Sequence, residues 1–451
     1  MQDSKMSRRD LLKWMGAGSA TLALAACAAP VAPAAAPAAN AGAAAPASEK
    51  PALTVATFDA PLHDWQREFA QRWADANKDK ADVTIERVVY GEMAKLQLAR
   101  SASGTLWDII FSGIKWFPYS ASKGMFLQID DFLANRPDAK LDDFFPATLA
   151  GAKLDGKTYG MPYEIHPGNP ALVVFNTDML DAKGLTMPTD DWNVNDYAAM
   201  AVKLNDPDKK VFGTNYLPGN YYDFESIARA YGTDIMDPER KKLQFATDDN
   251  CKAAAQWITE LRTKLKCAPT REQSDGLDFT AGVLGSAVTG STTVGTITKT
   301  VADKFKFDFV LFPKGPEGKR GYTAFTSNFS AANTTKSPDL AVDMLIYLTS
   351  EEAGNWSALE QGTGQPNARK SVWGNETLLT QRHSIFKRVL GMFNTPEIPG
   401  PFPMPFNLRF QELQDNWANT SPDLFYGDVA FEEGLQAVQD SMQEILDLPR
   451  A

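Results

Sequence analysis

The stretch from Leu53 to Phe111 alternates strand with helix, and that alternation restricts the possible folds more than any other feature of the chain. Leu53–Phe58 (L-T-V-A-T-F) is an apolar run of strand length. From about Leu62 to Asn77 the pattern turns helical, with Trp65, Phe69 and Trp73 spaced by four and so on one face. Val83–Val89 alternates as a strand, Glu92–Ala102 has helical periodicity, and Asp108–Phe111 is apolar again. Strand, helix, strand, helix, strand is the pattern of an α/β fold with mixed, mostly parallel sheets, because parallel neighbours need a helical crossover between them. Ser112-Gly113-Ile114-Lys115-Trp116 then leaves the carboxyl end of a strand, which is where open α/β sheets bind ligands.

The N-terminus carries an address. Ser7–Cys27 combines Arg8-Arg9, Leu11, Leu12 and Lys13 with a short apolar run and a small-residue exit. The run is too short for a membrane span and reads as an export signal. Arg8-Arg9 and the residues after it resemble the twin-arginine signal, and Leu24-Ala25-Ala26-Cys27 resembles the bacterial lipobox. That resemblance implies a signal peptide over residues 1–26, with Cys27 lipidated as the new N-terminus. A cysteine with more than one acyl chain holds a bilayer stably, since each buried methylene contributes about 0.8 kcal/mol. The expected location is therefore extracytoplasmic, on the bacterial cell membrane. Ala28–Lys50 is almost wholly Ala and Pro, with Val31 as its one larger aliphatic residue, so it buries too little to offset chain entropy and is expected to be an extended tether.

About 400 residues remain, enough for two domains or one bilobed unit. The chain is 44% hydrophobic, with ample material for a core, and its formal net charge of −11 lacks the basic face that nucleic acid requires. A soluble acidic surface and a monomer are expected. Beyond Cys27 only Cys251 and Cys267 remain. Asp248–Leu265 reads as one helix with an Asp cap, so its ends lie roughly 24 Å apart at about 1.5 Å per residue. Bridged α-carbons approach within about 7 Å, and two free thiols are expected.

Longer motifs carry a resemblance. Asp155–Pro162 (D-G-K-T-Y-G-M-P), Leu172–Leu180 (L-V-V-F-N-T-D-M-L) and Lys183–Leu185 come first, followed by Pro188, Trp192, Phe279, Gly282 and Ala287-Val288. Leu311–Gly318 (L-F-P-K-G-P-E-G) and Lys336–Glu352 complete the series. Together and in this order they resemble the extracellular solute-binding proteins of family 1, the receptors of ABC importers for sugars and related solutes. The resemblance implies a two-lobed periplasmic-binding-protein fold of type II-like character, with hinge crossings and the ligand held between lobes. By analogy the N-terminal lobe is 51–163 plus 314–369, and the C-terminal lobe 164–313 plus 370–451. Met161-Pro162 and Phe312-Pro313-Lys314-Gly315-Pro316 are proline-bearing breaks that suit such crossings. The implied partners are a small solute, for which carbohydrate is the first expectation, and ABC permease subunits in the membrane.

Sugar hydroxyls need planar polar partners, and the apolar face of a pyranose packs on aromatic rings. Loops at the expected strand ends offer both. Phe58 and Asp59 close the first strand, although Asp59 could instead cap the next helix. Ser112 and Trp116 follow the third strand. Tyr163, Glu164 and His166 lie past the first crossing, with His166 open to a purely structural role. Tyr221, Tyr222 and Asp223 follow V-F-G-T-N-Y, while Thr326 and Asn328 stand where the family faces its cleft. Phe406 sits in the proline-rich P-G-P-F-P-M-P-F-N. Ser291 belongs to Gly290-Ser291-Thr292-Thr293, where some sugar receptors of the family have a stacking Trp, and its absence argues against a maltodextrin-like ligand.

Catalysis has little support in the residues. His63, His166 and His383 are scattered, with no H-E-x-x-H, G-x-S-x-G or Walker pattern, so neither a metal site nor a cofactor is expected. Paired carboxylates leave an exported glycan-active enzyme as an alternative. A receptor for another polar solute (sugar phosphate, polyol or polyamine) and a lipid-anchored scaffold are further alternatives, since fold does not fix function.

Overall fold

The computed structural model describes residues 50–449 apart from 61–62, 114, 168, 240, 323, 361–366, 382–383 and 394–407. The export signal, Cys27, the tether and Phe406 lie outside the described residues.

The opening alternation folds as its pattern dictates. β1 (Ala52–Phe58), β2 (Asp82–Val88) and β3 (Ile109–Gly113) form a parallel set with β1 in the middle, crossed over by helices Asp64–Ala76 and Met93–Ser103. Trp65, Phe69 and Trp73 are buried on one face of the first helix. A small antiparallel hairpin, β4 (Lys153–Leu154) with β5 (Lys157–Thr158), precedes β6 (Met161–Pro167) and β7 (Leu172–Asn176). Then come β8 (Ser286–Thr289), β9 (Phe307–Leu311) and β10 (Ala324–Ala331).

The sheets are mixed, but the parallel share is smaller than expected. The first sheet has the order β2-β1-β3-β10-β6, with β10 antiparallel to both β3 and β6. The second, β8-β7-β9, is antiparallel throughout. Parallel pairing follows from a short helical crossover between consecutive strands. β6 and β10 enter from remote parts of the chain and are free of that constraint, as are the partners of β7.

Buried side chains gather in two clusters. One draws on Leu53–Tyr163 and Phe329–Ala368, the other on Ile165–Phe325 and Val372–Met442 with Phe145 and Ala358. Paired strands β6 and β10 run through both, with Tyr163 and Phe329 in the first core and Ile165 and Phe325 in the second. The proline-rich turn after β9 stays with the second core. Lys314 N donates to Trp192 O at 2.9 Å, and Gly315 and Gly321 lie so close to helix Tyr221–Ala230 that a Cβ at either would collide with its backbone. The chain changes cores along β10, between Phe325 and Phe329, later than the Phe312–Pro316 break.

Helix Asp249–Thr263 takes its cap from Asp248, whose Oδ1 accepts from Asn250 N and Cys251 N. Helices Phe410–Tyr426 and Phe431–Asp447 complete the second core with Leu413, Trp417, Leu435 and Val438. Cys251 and Cys267 are separate buried thiols.

Candidate ligand-binding cleft

A cavity of about 380 Å³ lies where the two cores face each other. Phe58, His63, Tyr90, Phe111, Gly113, Lys115 and Tyr163 line it from the first lobe. Asn220, Tyr222, Asp223, Val288, Thr289, Gly290, Thr292, Thr293 and Phe325 line it from the second, and Glu164 and Ser327 from the shared strands.

Strand alternation decides which residues face it. In β3, Phe111 and Gly113 point into the cavity, while Ser112 points away and its hydroxyl meets Asn328 O at 3.2 Å and Ser330 Oγ at 2.8 Å. In β10, Phe325 and Ser327 line the cavity. Thr326 and Asn328 face the other way, onto helix Pro146–Gly151, where Asn328 Nδ2 donates to Gly151 O at 3.2 Å. On β6 the register shifts, with Ser327 opposite Glu164 but Asn328 opposite Pro162. Tyr163 is the extra residue of this bulge, and the bulge lets consecutive side chains Tyr163 and Glu164 share one face.

The first wall is aromatic. The Phe58 ring centre lies 4.9 Å from that of Tyr90 and 4.8 Å from His63, and Phe111 is 5.4 Å from Tyr163. Opposite, Tyr222 meets Phe325 edge-on at 5.0 Å. Helix Tyr221–Ala230 delivers both Tyr222 and Asp223 to the cleft, since its cap holds the carboxylate in place: Asn220 N and Nδ2 donate to Asp223 Oδ2 at 3.2 and 2.8 Å.

Three ionisable groups give the cleft its character. Asp223 is 1% exposed, and burial pushes its carboxyl up to about 7 against the opposing hydrogen bonds from Asn220 and the charge of Lys115. Lys115 is half-buried, and burial lowers its ammonium while Asp223 raises it. Its Nζ lies 5.5 to 5.8 Å from the ring centres of Tyr90, Tyr222 and Phe410, a cation held among aromatic faces of both lobes. His63 is lowered by burial, with Glu164 and Asp64 opposing, so it is a neutral imidazole near pH 7. Among the described residues no cluster of His, Cys, Asp and Glu could hold a metal ion.

Phe58, Tyr163, Glu164, Tyr222 and Asp223 are the expected residues that the structure gathers at the cavity. Others stand elsewhere. Asp59 is an exposed partner of Arg87 at 2.7 Å. Tyr221 is buried beside Phe410, with ring centres 5.5 Å apart, and Ser291 is buried in the turn after β8. Trp116 packs its ring against Gly113, 5.3 Å from Tyr90 and 6.1 Å from Phe111, and lines an adjoining cavity. His166 is placed by its backbone, which pairs with Phe325. Lys115, Asn169, Ser327, Thr292 and Thr293 also line the cavity and belong to segments the sequence offers, but their facing is not legible there; His63 and Tyr90 carry no such signal.

Two α/β lobes with a lined cavity between them define a binding protein of the two-lobed class. Residues 59–355 match the profile of the bacterial extracellular solute-binding proteins, and the chain belongs to that family of receptors. Residues 5–25 match the twin-arginine translocation pathway signal, so the protein is exported from the cytoplasm. A binding protein of Brucella abortus (strain 2308) is 23% identical over 309 residues, covering 66% of this chain and 71% of its own. The fold is similar to an ABC substrate-binding protein of Listeria monocytogenes in complex with cycloalternan (TM-score 0.75, 19% identity, 88% of this chain and 99% of that one). It is also similar to a solute-binding protein of Agrobacterium vitis with bound D-mannitol (TM-score 0.70, 21% identity, 87% and 97%). Maltose-bound MalE3 of T. maritima has a TM-score of 0.71 at 17% identity, over 87% and 99%. At such identities the likeness is one of fold.

Proposed function

We propose that this chain is the lipid-anchored receptor of an ABC importer, that it takes a neutral sugar or polyol into the interlobe cleft, and that its closed, loaded form engages the permease. The observation that carries this reading is the lining: aromatic faces on both walls beside Glu164, Asp223, Asn220 and a run of threonine hydroxyls. Aromatic faces suit the apolar side of a sugar, and carboxylates and amides suit its hydroxyls. Glu164 and the partly ionised Asp223 beside a single ammonium leave no surplus of positive charge for an anionic solute such as a sugar phosphate. The similar folds above hold cycloalternan, D-mannitol and maltose, which is consistent with this choice.

Hinge motion in this reading occurs along β6 and β10, which run through both cores, so that ligand touching both walls favours the closed arrangement. A thermal-shift screen over D-mannitol, ribitol, D-tagatose, maltose and mannobiose tests the ligand class. A binder raises apparent stability by about 2.7 kcal/mol at a hundred times its dissociation constant. Small-angle scattering with the binder should show a smaller radius of gyration, and a tight ligand that leaves it unchanged rules out closure. Cys27→Ser should release the protein from membranes without altering its fold. A variant still membrane-bound after a salt wash overturns the anchor.

A further inference from the structure

Asp223 is held at the cleft by one carboxylate oxygen only. Asn220 donates to Oδ2 twice, from N at 3.2 Å and from Nδ2 at 2.8 Å, which uses both acceptor positions of that oxygen. Oδ1 is buried without a hydrogen-bond partner, in a residue that is 1% exposed and lines the cavity. Among the described residues no cation forms an ion pair with this carboxylate. Lys115 and the Asn169 amide favour its charge, but burial outweighs them, and the Lys115 ammonium is spent among the rings of Tyr90, Tyr222 and Phe410. Glu164, a second carboxylate, and His63, a neutral imidazole, line the same cavity. Burial keeps the phenols of Tyr90, Tyr216 and Tyr222 neutral as well.

A buried carboxylate with an unanswered oxygen is costly, and a proton answers it. Since Oδ2 has no acceptor position left, that proton sits on Oδ1 and turns it into a donor. Asn169 Oδ1, in a residue that also lines the cavity, is a buried acceptor without a partner. The cavity thus offers one O–H that needs an acceptor and one carbonyl that needs a donor. A hydroxyl group is both, whereas an ammonium only donates and a carboxylate only accepts.

We infer that Asp223 meets the solute as a neutral carboxylic acid, donating from Oδ1 to a hydroxyl oxygen of the solute, whose hydroxyls in turn donate to Asn169 Oδ1, and that binding takes up the proton from solvent. This rests on the sugar or polyol reading above. It makes Asp223 a donor that selects for a hydroxyl, and it ties affinity to pH.

The test is calorimetric titration with D-mannitol, ribitol, D-tagatose, maltose and mannobiose between about pH 6 and 9, in phosphate and in Tris. The free carboxyl stands at about 7, so a probe that binds should do so with level affinity below about pH 6 and lose about tenfold per unit well above pH 7. Near pH 8 the difference in heat between the buffers should report close to one proton taken up per molecule bound. In Asp223→Asn the carbonyl still accepts from Asn220 and the amide nitrogen donates without titrating. That variant should bind about threefold more weakly than the parent near pH 6, show no slope and no proton uptake, and bind more tightly than the parent near pH 9. Lys115→Met should move the onset of the fall to higher pH, because the ammonium favours the charged carboxyl, and His63→Gln should leave it in place. Affinity that rises with pH, or an Asp223→Asn variant weaker than the parent at every pH, makes Asp223 an ionised acceptor; that overturns the inference and leaves the receptor reading standing. Binding of none of the probes overturns both.

Discussion

The two walls of the cleft are built on different principles. Phe58, Phe111 and Tyr163 line the cavity and are also core of the first sheet, so the first wall is made by the act of folding. The second wall is partly hung on ends: Asn220 and Asp223 on the first turn of a helix, Thr292 and Thr293 on the turn after β8. Shape on the first wall cannot change without disturbing the core. The threonine hydroxyls on the second can be exchanged almost independently of it, and that is where a receptor of this fold has room to alter its choice of solute.

Substitutions on each wall can break this contrast. Phe111→Ala should have the largest effect, about 3–5 kcal/mol of stability by denaturant unfolding, because the ring is 1% exposed and packs against Tyr163 and Phe329. A loss under about 1 kcal/mol would show the first wall to be separable from the core.

Asp223→Asn sharpens the contrast by charge. The folded carboxyl, held at about 7 by burial, lies above its ordinary value of 3.8, so the folded state binds this proton more tightly than the unfolded chain. That contribution to stability is complete below pH 4 and is lost as pH rises toward about 7. The variant should therefore show a shallower decline of melting temperature between pH 4 and 7 than the parent protein. Parallel curves would contradict the raised carboxyl.

Thr292→Ala, at a half-buried position, should leave stability within about 0.5 kcal/mol and weaken the bound solute by about 1 kcal/mol in calorimetry. An unchanged affinity would take its hydroxyl out of the site. The smallest effect is expected from Asp59→Ala. Its ion pair with Arg87 is exposed and worth at most about 1 kcal/mol, and ligand affinity should not move. A loss of affinity would return Asp59 to the cleft.

The fold was legible where contacts are local. Parallel β1, β2 and β3 follow from apolar runs separated by helices of crossover length, and the Asp248 cap from a residue beside the helix it starts. Antiparallel β10 was not, because its partners Ile109–Gly113 and Met161–Pro167 lie far away in sequence. The segments of the cleft were legible for the same local reason, as loops and strand ends. Their facing was not. Thr326-Ser327-Asn328 reads as a cleft segment, but alternation presents Ser327 and turns its neighbours inward, and a one-residue bulge on β6 is what brings Tyr163 and Glu164 to the same side.

Composition, periodicity and motif order thus determined by themselves that this chain is exported and opens as an α/β layer, and they identified its family. Those properties are written in neighbouring residues and in signals read before or during folding. The tertiary structure alone decided that Lys115 stands among Tyr90, Tyr222 and Phe410, that Asp223 is buried beside it, and that Trp116 packs behind Tyr90 against Gly113. Each depends on which distant segments share a register or a core, and burial, which sets both the charge of a carboxyl and the reach of an ammonium, exists only once they have met.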